Sequence, residues 1–146
     1  MNKKWLYVFT RKDLSASQIA VQSIHSAYEM GRFFKEGERH PSVVLIKLKN
    51  EKELLKLENY LKKIDLNFKS FVEPYYNHSL TSISVEPISS EQRHLFKKYQ
   101  LMKDSDFNNY NAIDKINEIS KKLQDKSPSF NTQSILEDLR NIKENR

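Results

Sequence analysis

Val43-Val44-Leu45-Ile46-Lys47-Leu48 is the stretch whose reading decides the fold. Its unbroken Val-Val-Leu-Ile run is of the kind that a parallel sheet buries on both faces. Downstream, Leu54, Leu57, Leu61 and Ile64 recur at spacings of three and four, the stripe of an amphipathic helix. Upstream, Trp5-Leu6-Tyr7-Val8-Phe9 is an aromatic and β-branched run closed by the turn-like Arg11-Lys12-Asp13, and it reads as a buried strand. Between these strands Ser15 is an N-cap and Gln18, three residues on, completes a capping box. The helix they open is expected to stop at Gly31 or Gly37. Residues 68–72 and 80–85 predict two more strands, joined by the loop Glu73-Pro74-Tyr75-Tyr76-Asn77-His78-Ser79. Ser89 or Ser90 caps a third helix with Leu95, Phe96, Tyr99 and Met102 on its buried side. The order β-α-β-α-β-β-α predicts an α/β domain over residues 1–103, a four-stranded mixed β-sheet with helices on both faces.

Residues 104–146 differ in kind. They open on the polar, linker-like Asp104-Ser105-Asp106 and then show two short apolar stripes. Ile113, Ile116, Ile119 and Leu123 form one; Ile135, Leu136, Leu139 and Ile142 form the other, with Ser127-Pro128-Ser129 between them. Helices this short need something to pack on. A C-terminal helical extension used for homodimer formation or for binding another protein is the expectation.

Composition narrows the chemistry. The chain has 146 residues, two Gly and no Cys. Glycine-rich phosphate loops, dinucleotide fingerprints, disulfides, Cys-based zinc sites and thiol nucleophiles are therefore excluded. The four histidines (His25, His40, His78, His94) have no metal-ligand spacing, so neither a metal nor a cofactor is expected. The apolar run at residues 5–9 is too short for a secretory signal or a membrane span, so the chain is expected to be cytoplasmic, with no membrane partner. Net charge is +6, and residues 1–103 carry +7 of it against −1 in the remainder. A small basic domain favours polyanionic partners, although Lys-rich faces also serve only as solvated surface.

The polar side of the first helix holds the main candidates. Gln18, Gln22, His25 and Glu29 follow spacings of four, three and four and line one face, while Ile24, Ala27, Tyr28 and Gly31 line another. A histidine is a ready general base, and an amide beside it can orient a water or a carbonyl. An ordinary exposed polar face accounts for the same spacing. Lys69, Tyr75, Tyr76 and His78 can form a basic stacking surface for single-stranded RNA, or the tyrosines can anchor a turn. Thr81, Ser82 and Ser84 offer hydroxyls, the two serines being accounted for by strand alternation.

Together these stretches resemble the type 2 peptidyl-tRNA hydrolases over about residues 4–103. Arg11-Lys12-Asp13-Leu14 with Gln18-Ile19-Ala20-Val21-Gln22-Ser23-Ile24-His25-Ser26 is similar to that family's Arg-x-Asp-Leu element and its Lys-Ile-Ala-x-Gln-x-x-His-Ala helix. Thr81-Ser82-Ile83-Ser84-Val85-Glu86-Pro87 is similar to its closing strand. The resemblance implies a metal-independent hydrolase that cleaves the ester of peptidyl-tRNA or aminoacyl-tRNA, releases free tRNA, and commonly dimerises. It implies His25, Gln22, Asp13, Glu73 and Thr81 as catalytic candidates. Arg11, Lys12, Gln18, Lys69, Tyr75 and Tyr76 become the tRNA-binding ones. Two elements depart: Gln18 stands where the family has Lys, and Glu73-Pro74-Tyr75-Tyr76 stands where it has Asp-x-Gly-x-Thr. A catalytically degenerate tRNA- or RNA-binding module of the same fold, and a partner-binding protein acting through its C-terminal helices, are the alternatives.

Overall fold

The computed structural model describes residues 3–34, 39–77, 79–107, 112–126, 137 and 139–141, with backbone alone at Tyr76 and 112–115. The chain forms two compact units, Met1–Asn109 and Tyr110–Arg146. In the first, β1 (Lys4–Arg11), α1 (Ala16–Phe33), β2 (Ser42–Leu48), α2 (Glu51–Lys63), β3 (Phe68–Glu73), β4 (Ser79–Val85) and β5 (Ile88–Ser89) succeed one another. A 3-10 helix at Glu91–Phe96 and a single turn, α3 (Asp104–Phe107), follow. The strand order is β2-β1-β4-β3, with β1 parallel to β2 and antiparallel to β4. Strand β5 pairs with the start of β1, extending the line of β4. This is the mixed α/β sheet expected from the sequence.

The core lies on the α2 side. Tyr7, Phe9, Val44, Ile46, Leu48, Ile83 and Val85 meet Leu54, Leu57 and Leu61 of α2, and Phe96 closes the cluster. Asn50 caps α2 through Glu53 N, with Glu51 and Glu53 in its first turn and Lys62 and Lys63 in its last, matching the helix dipole. The Val43–Leu48 run does form a strand, but only one of its faces is deeply buried. Val44, Ile46 and Leu48 are buried, whereas Val43 is exposed and Leu45 and Lys47 are half-buried. The outer edge of β2 is closed by residues 100–102, through Lys47 N to Gln100 O and Met102 N to Leu45 O. An unpaired edge strand is a pairing hazard, and this segment removes it.

Three further expectations change. Helix α1 starts with the capping box at Ser15 and Gln18, but runs through Gly31 to Phe33 and is closed by Phe34; Gly37 lies outside the described residues. The third helix is a 3-10 helix, with Phe96 buried and Leu95 and Tyr99 packed against the core. The polar stretch at 104 is not a linker. Asp106 is buried and takes two bonds from Lys47 Nζ, at 3.0 and 2.8 Å, and a third from Lys103 N, so the first unit continues past 103. These donors hold the Asp106 carboxyl below its usual range, Lys47 being the larger cause.

The second unit contains α4 (Ala112–Lys126), ending just before Ser127-Pro128. Ile119 and Leu123 on it are exposed. Of the second expected stripe only Leu139 is described; Ile135, Leu136 and Ile142 lie outside the described residues, as does the side chain of Ile113. Among the described residues no helix is long and apolar enough to cross a membrane.

The largest departure is the orientation of α1. It buries Ile19, Gln22, Ser26 and Met30 against the sheet. Ile24 and Tyr28, expected on an apolar face, are 66% and 65% exposed, and Val21 is exposed beside them. Substituting Ile24→Gln should therefore move the urea unfolding free energy by less than about 0.5 kcal/mol. Ile19→Ala, in the same helix, should cost about 2–5 kcal/mol. The sole tryptophan, Trp5, reports both in fluorescence-monitored unfolding, and a large loss for Ile24→Gln would contradict the orientation.

Candidate functional site

Serine and threonine hydroxyls hold α1 to the sheet. Ser82 Oγ donates to Gln22 O at 2.6 Å and Ser84 Oγ donates to Ser26 O at 2.6 Å. Thr10 Oγ1 and Ser23 Oγ share a bond of 2.7 Å. Thr10, Ser26, Thr81, Ser82 and Ser84 are fully buried. Buried polar side-chain atoms without a partner are absent among the described residues, as the cost of desolvating such groups requires. Alternation along β4 does place Ser82 and Ser84 on one face, but that face meets α1 rather than water.

A β-bulge then sets the site. Phe71 pairs with Ser82 and Val72 pairs with Leu80, so Thr81 is the extra residue of β4. An inserted residue re-aims its side chain. Thr81 and Ser82, adjacent in sequence, both reach Gln22: Thr81 Oγ1 donates to Gln22 Oε1 at 2.6 Å while Ser82 takes the main-chain carbonyl. Gln22 Nε2 in turn donates to Glu73 Oε2 at 3.0 Å. A carboxylate accepts only, so the amide nitrogen must face Glu73 and its oxygen the hydroxyl. Glu73 Oε1 also accepts from Tyr75 N at 3.2 Å, capping the 3-10 turn at Pro74–Tyr76.

Helix α1 and β3 meet in three rungs. Gln22 bonds Glu73; the exposed His25 ring stacks on Phe71 with centroids 4.4 Å apart and planes within 1°; Lys69 Nζ lies 4.0 Å from the centre of the Phe33 ring. Phe71 and Glu73 are two apart on β3, and Gln22 and His25 are three apart on α1, so strand and helix periods bring both pairs together. The bond from Gln22 holds the Glu73 carboxyl below its usual range, helped by Tyr75 N and, more weakly, by attraction to His25, against an opposing effect of burial.

Of the catalytic candidates, Gln22, Glu73 and Thr81 thus form one hydrogen-bonded set, with His25 beside it. Asp13 is next to this set but bonded elsewhere. Arg11 Nε and Nη2 each donate to it at 2.9 Å, and Arg11 Nη1 reaches Leu80 O at 3.3 Å. Three of the five guanidinium N–H groups are thereby spent on tying the β1–α1 loop to the start of β4. Gln18 Oε1 accepts from Ser15 N in the capping box. Lys69 sits at the far end of β3 from Glu73. Tyr75 is 92% exposed, and the Tyr76 side chain and His78 lie outside the described residues. Lys12 lines a cleft with Lys49 and Lys98 on the β2 side. Sequence reasoning missed Phe71 and Thr10, and it assigned Ser82 to strand alternation alone; a run of hydroxyls opposite a helix that carries Gln and Ser was the available signal. Among the described residues no three His, Asp or Glu side chains are grouped to hold a metal.

No protein-family model matches this chain, and no curated protein matches it. Among solved structures, the chain is similar to a protein of unknown function from Agrobacterium tumefaciens, with a TM-score of 0.56 and 10% identity. The match covers 70% of this chain and 100% of that one. At that identity the likeness concerns the fold alone.

Three measurements test the set. Thr81→Val leaves Gln22 Oε1 buried without its donor and should cost about 1–3 kcal/mol in urea unfolding. Glu73, followed by carboxyl NMR, should titrate below an ordinary glutamate and move upward in Gln22→Met. Because its folded pKa is depressed, the stability it contributes is complete above the unfolded value of about 4.3 and is lost as pH falls through the folded one. The stability gap between wild type and Glu73→Gln should close over that acid range.

Proposed function

We propose that the protein hydrolyses the ester of peptidyl-tRNA or aminoacyl-tRNA, with His25 as general base. The observation that carries this reading is the bonding of Gln22 between Thr81 and Glu73, with His25 one helical turn on and stacked on Phe71. The resemblance of residues 11–26 and 81–87 to the type 2 peptidyl-tRNA hydrolases supplies the substrate class.

Ester hydrolysis needs a water that loses a proton as it attacks the carbonyl carbon. It also needs a proton for the departing ribose 3′ oxygen. The exposed His25 imidazole takes the first proton and returns it in the second step. Glu73, ionised at neutral pH and held so further into acid by its bonds to Gln22 and Tyr75 N, is the negative charge that steadies the imidazolium formed between the two. Gln22 and Thr81 are positioning residues. They fix the carboxylate, and through α1 they fix the His25 ring, which stacks on Phe71 two residues along β3 from it. Asp13 and Arg11 hold the adjacent loop in place.

A second reading has its own observation. The bonds described for Gln22 are internal, and Gln18, at the position of the family's lysine, serves the helix cap. Both fit an RNA-binding module without turnover. Release of labelled peptide from peptidyl-tRNA separates the two. We expect His25→Ala to slow release by about 10²–10⁴-fold, with Glu73→Gln also impaired. Equal background rates in wild type and His25→Ala, with tRNA still bound, would establish the second reading.

A further inference from the structure

Two clefts of about 420 Å³ each adjoin on the α2 side of the sheet, and Tyr99 lines both. The first is walled by Tyr7, Val44 and Phe96 and rimmed by Arg93 and Lys97. The second is rimmed by Lys12, Lys49 and Lys98. The acidic side chain in their lining is Glu53, which is paired with Lys56 at 2.9 Å, and the remaining lysine, Lys47, is neutralised by Asp106. Charge in the two clefts is therefore predominantly positive, with Lys49 within electrostatic reach of Glu53 and Lys12 within reach of Asp106. Among the described residues Lys12, Lys49 and Lys97 form no ion pair, Lys98 Nζ lies 5.1 Å from the centre of the Tyr99 ring, and Arg93 is held over Trp5 at 3.8 Å and bonded to Tyr7 Oη.

The clefts lie end to end. Arg93 sits over Trp5, which is in register with Ser42 at the start of β2, and Lys49 follows the end of that strand. Seven residues at about 3.3 Å each make a track of roughly 23 Å. Its Lys12 and Lys49 end is the end of the sheet at which Thr81 and Glu73 lie, since Thr10 pairs with Ser82 and Arg11 with Leu48. At a strand spacing of about 4.8 Å, β2 and β3 are roughly 14 Å apart there, and because the track lies on the α2 face and the Gln22 set on the α1 face, a strand must round this end of the sheet to pass from one to the other. Cationic heads ranged along a groove are what an RNA backbone requires, the charges following the phosphates; of the rings in the lining Tyr7 and Phe96 are buried and Tyr99 is half-buried. Low-dielectric cleft walls strengthen the attraction.

We propose that this track binds the phosphate backbone of RNA and leads it to the Gln22, Glu73 and Thr81 end of the sheet. The identity of the polyanion rests on the RNA ester reading above; the existence of the track does not. The test uses the full chain and fluorescently labelled deacylated tRNA, so that no turnover is needed. Lys49→Gln, Lys97→Gln and Lys98→Gln together should weaken binding at least tenfold in low salt. They should also reduce the slope of log affinity against log salt by about 2–3, at roughly 0.7–0.9 per lost phosphate contact. The charge-matched control, Lys62→Gln and Lys63→Gln on α2 with Lys121→Gln on α4, should change affinity less than twofold. Both triples change exposed lysines, and thermal melting verifies that they fold. Equal losses in the two triples, or no loss in the first, would overturn the track. Track-dependent binding by a wild type that hydrolyses nothing would sustain the track and refute the hydrolase. Hydrolysis with unchanged KM in the first triple would do the reverse.

Discussion

The amide of Gln22 is the constraint on which the rest of this structure depends. The residue is only 2% exposed; its amide oxygen accepts from Thr81, its amide nitrogen donates to Glu73, and its main-chain carbonyl accepts from Ser82. An amide placed in an apolar seam would cost about 1–3 kcal/mol for each group left unbonded. The sequence answers with hydroxyls at Thr10, Ser23, Ser26, Thr81, Ser82 and Ser84, small enough to let helix and sheet approach and each able to donate once. The bulge at Thr81 is the geometric counterpart. Regular alternation would send Thr81 and Ser82 to opposite faces of the sheet, and only one of them could then meet α1.

That constraint also explains which parts of the fold are legible in the sequence. Hydropathy periods report where apolar surface is buried. They locate β2, α2 and the strands around them because those elements build the α2-side core from Leu, Ile, Val and Phe. The same rule misplaces α1, whose inner face mixes Gln22 and Ser26 with Ile19 and Met30 and whose outer face carries Val21, Ile24 and Tyr28. Interlocking hydroxyls leave no hydropathy signature, since a serine that bonds a helix carbonyl and a serine in water are the same letter. Asp106 escapes the pattern for a similar reason. A carboxylate in a polar stretch looks solvated until its lysine, 59 residues away, is found beside it.

The candidate site is legible as a set of residues but not as a geometry. Spacing on one helix places Gln22 next to His25, and the motif resemblance adds Glu73 and Thr81. Nothing in the sequence predicts that Phe71 carries the His25 ring, because that contact depends on the β3 register and on the bulge beside it. Nor does spacing separate Lys69 from Lys12. Both are isolated lysines near strand ends, and topology alone places one beside Phe33 and the other beside Lys49 and Lys98.

A seam of directional bonds holds a helix differently from an apolar one. Leucines packed on a sheet tolerate small shifts along the helix axis, because dispersion attraction that weakens on one side strengthens on the other. Hydroxyl-to-carbonyl bonds of 2.6 Å from Ser82 to Gln22 and from Ser84 to Ser26 tolerate far less, since hydrogen bonds weaken steeply with misalignment. These two bonds, one turn apart on α1, fix its height on the sheet. Fixed height is what the site requires. The Gln22 amide must meet Glu73 while the His25 ring lies flat on Phe71, and a shift of one residue, about 1.5 Å along the helix and 100° around it, would break both contacts together. The polar seam gives up apolar burial on this side of the sheet, and in return the position of His25 on Phe71, two residues along β3 from Glu73, is set by the fold rather than by the mobility of an exposed side chain.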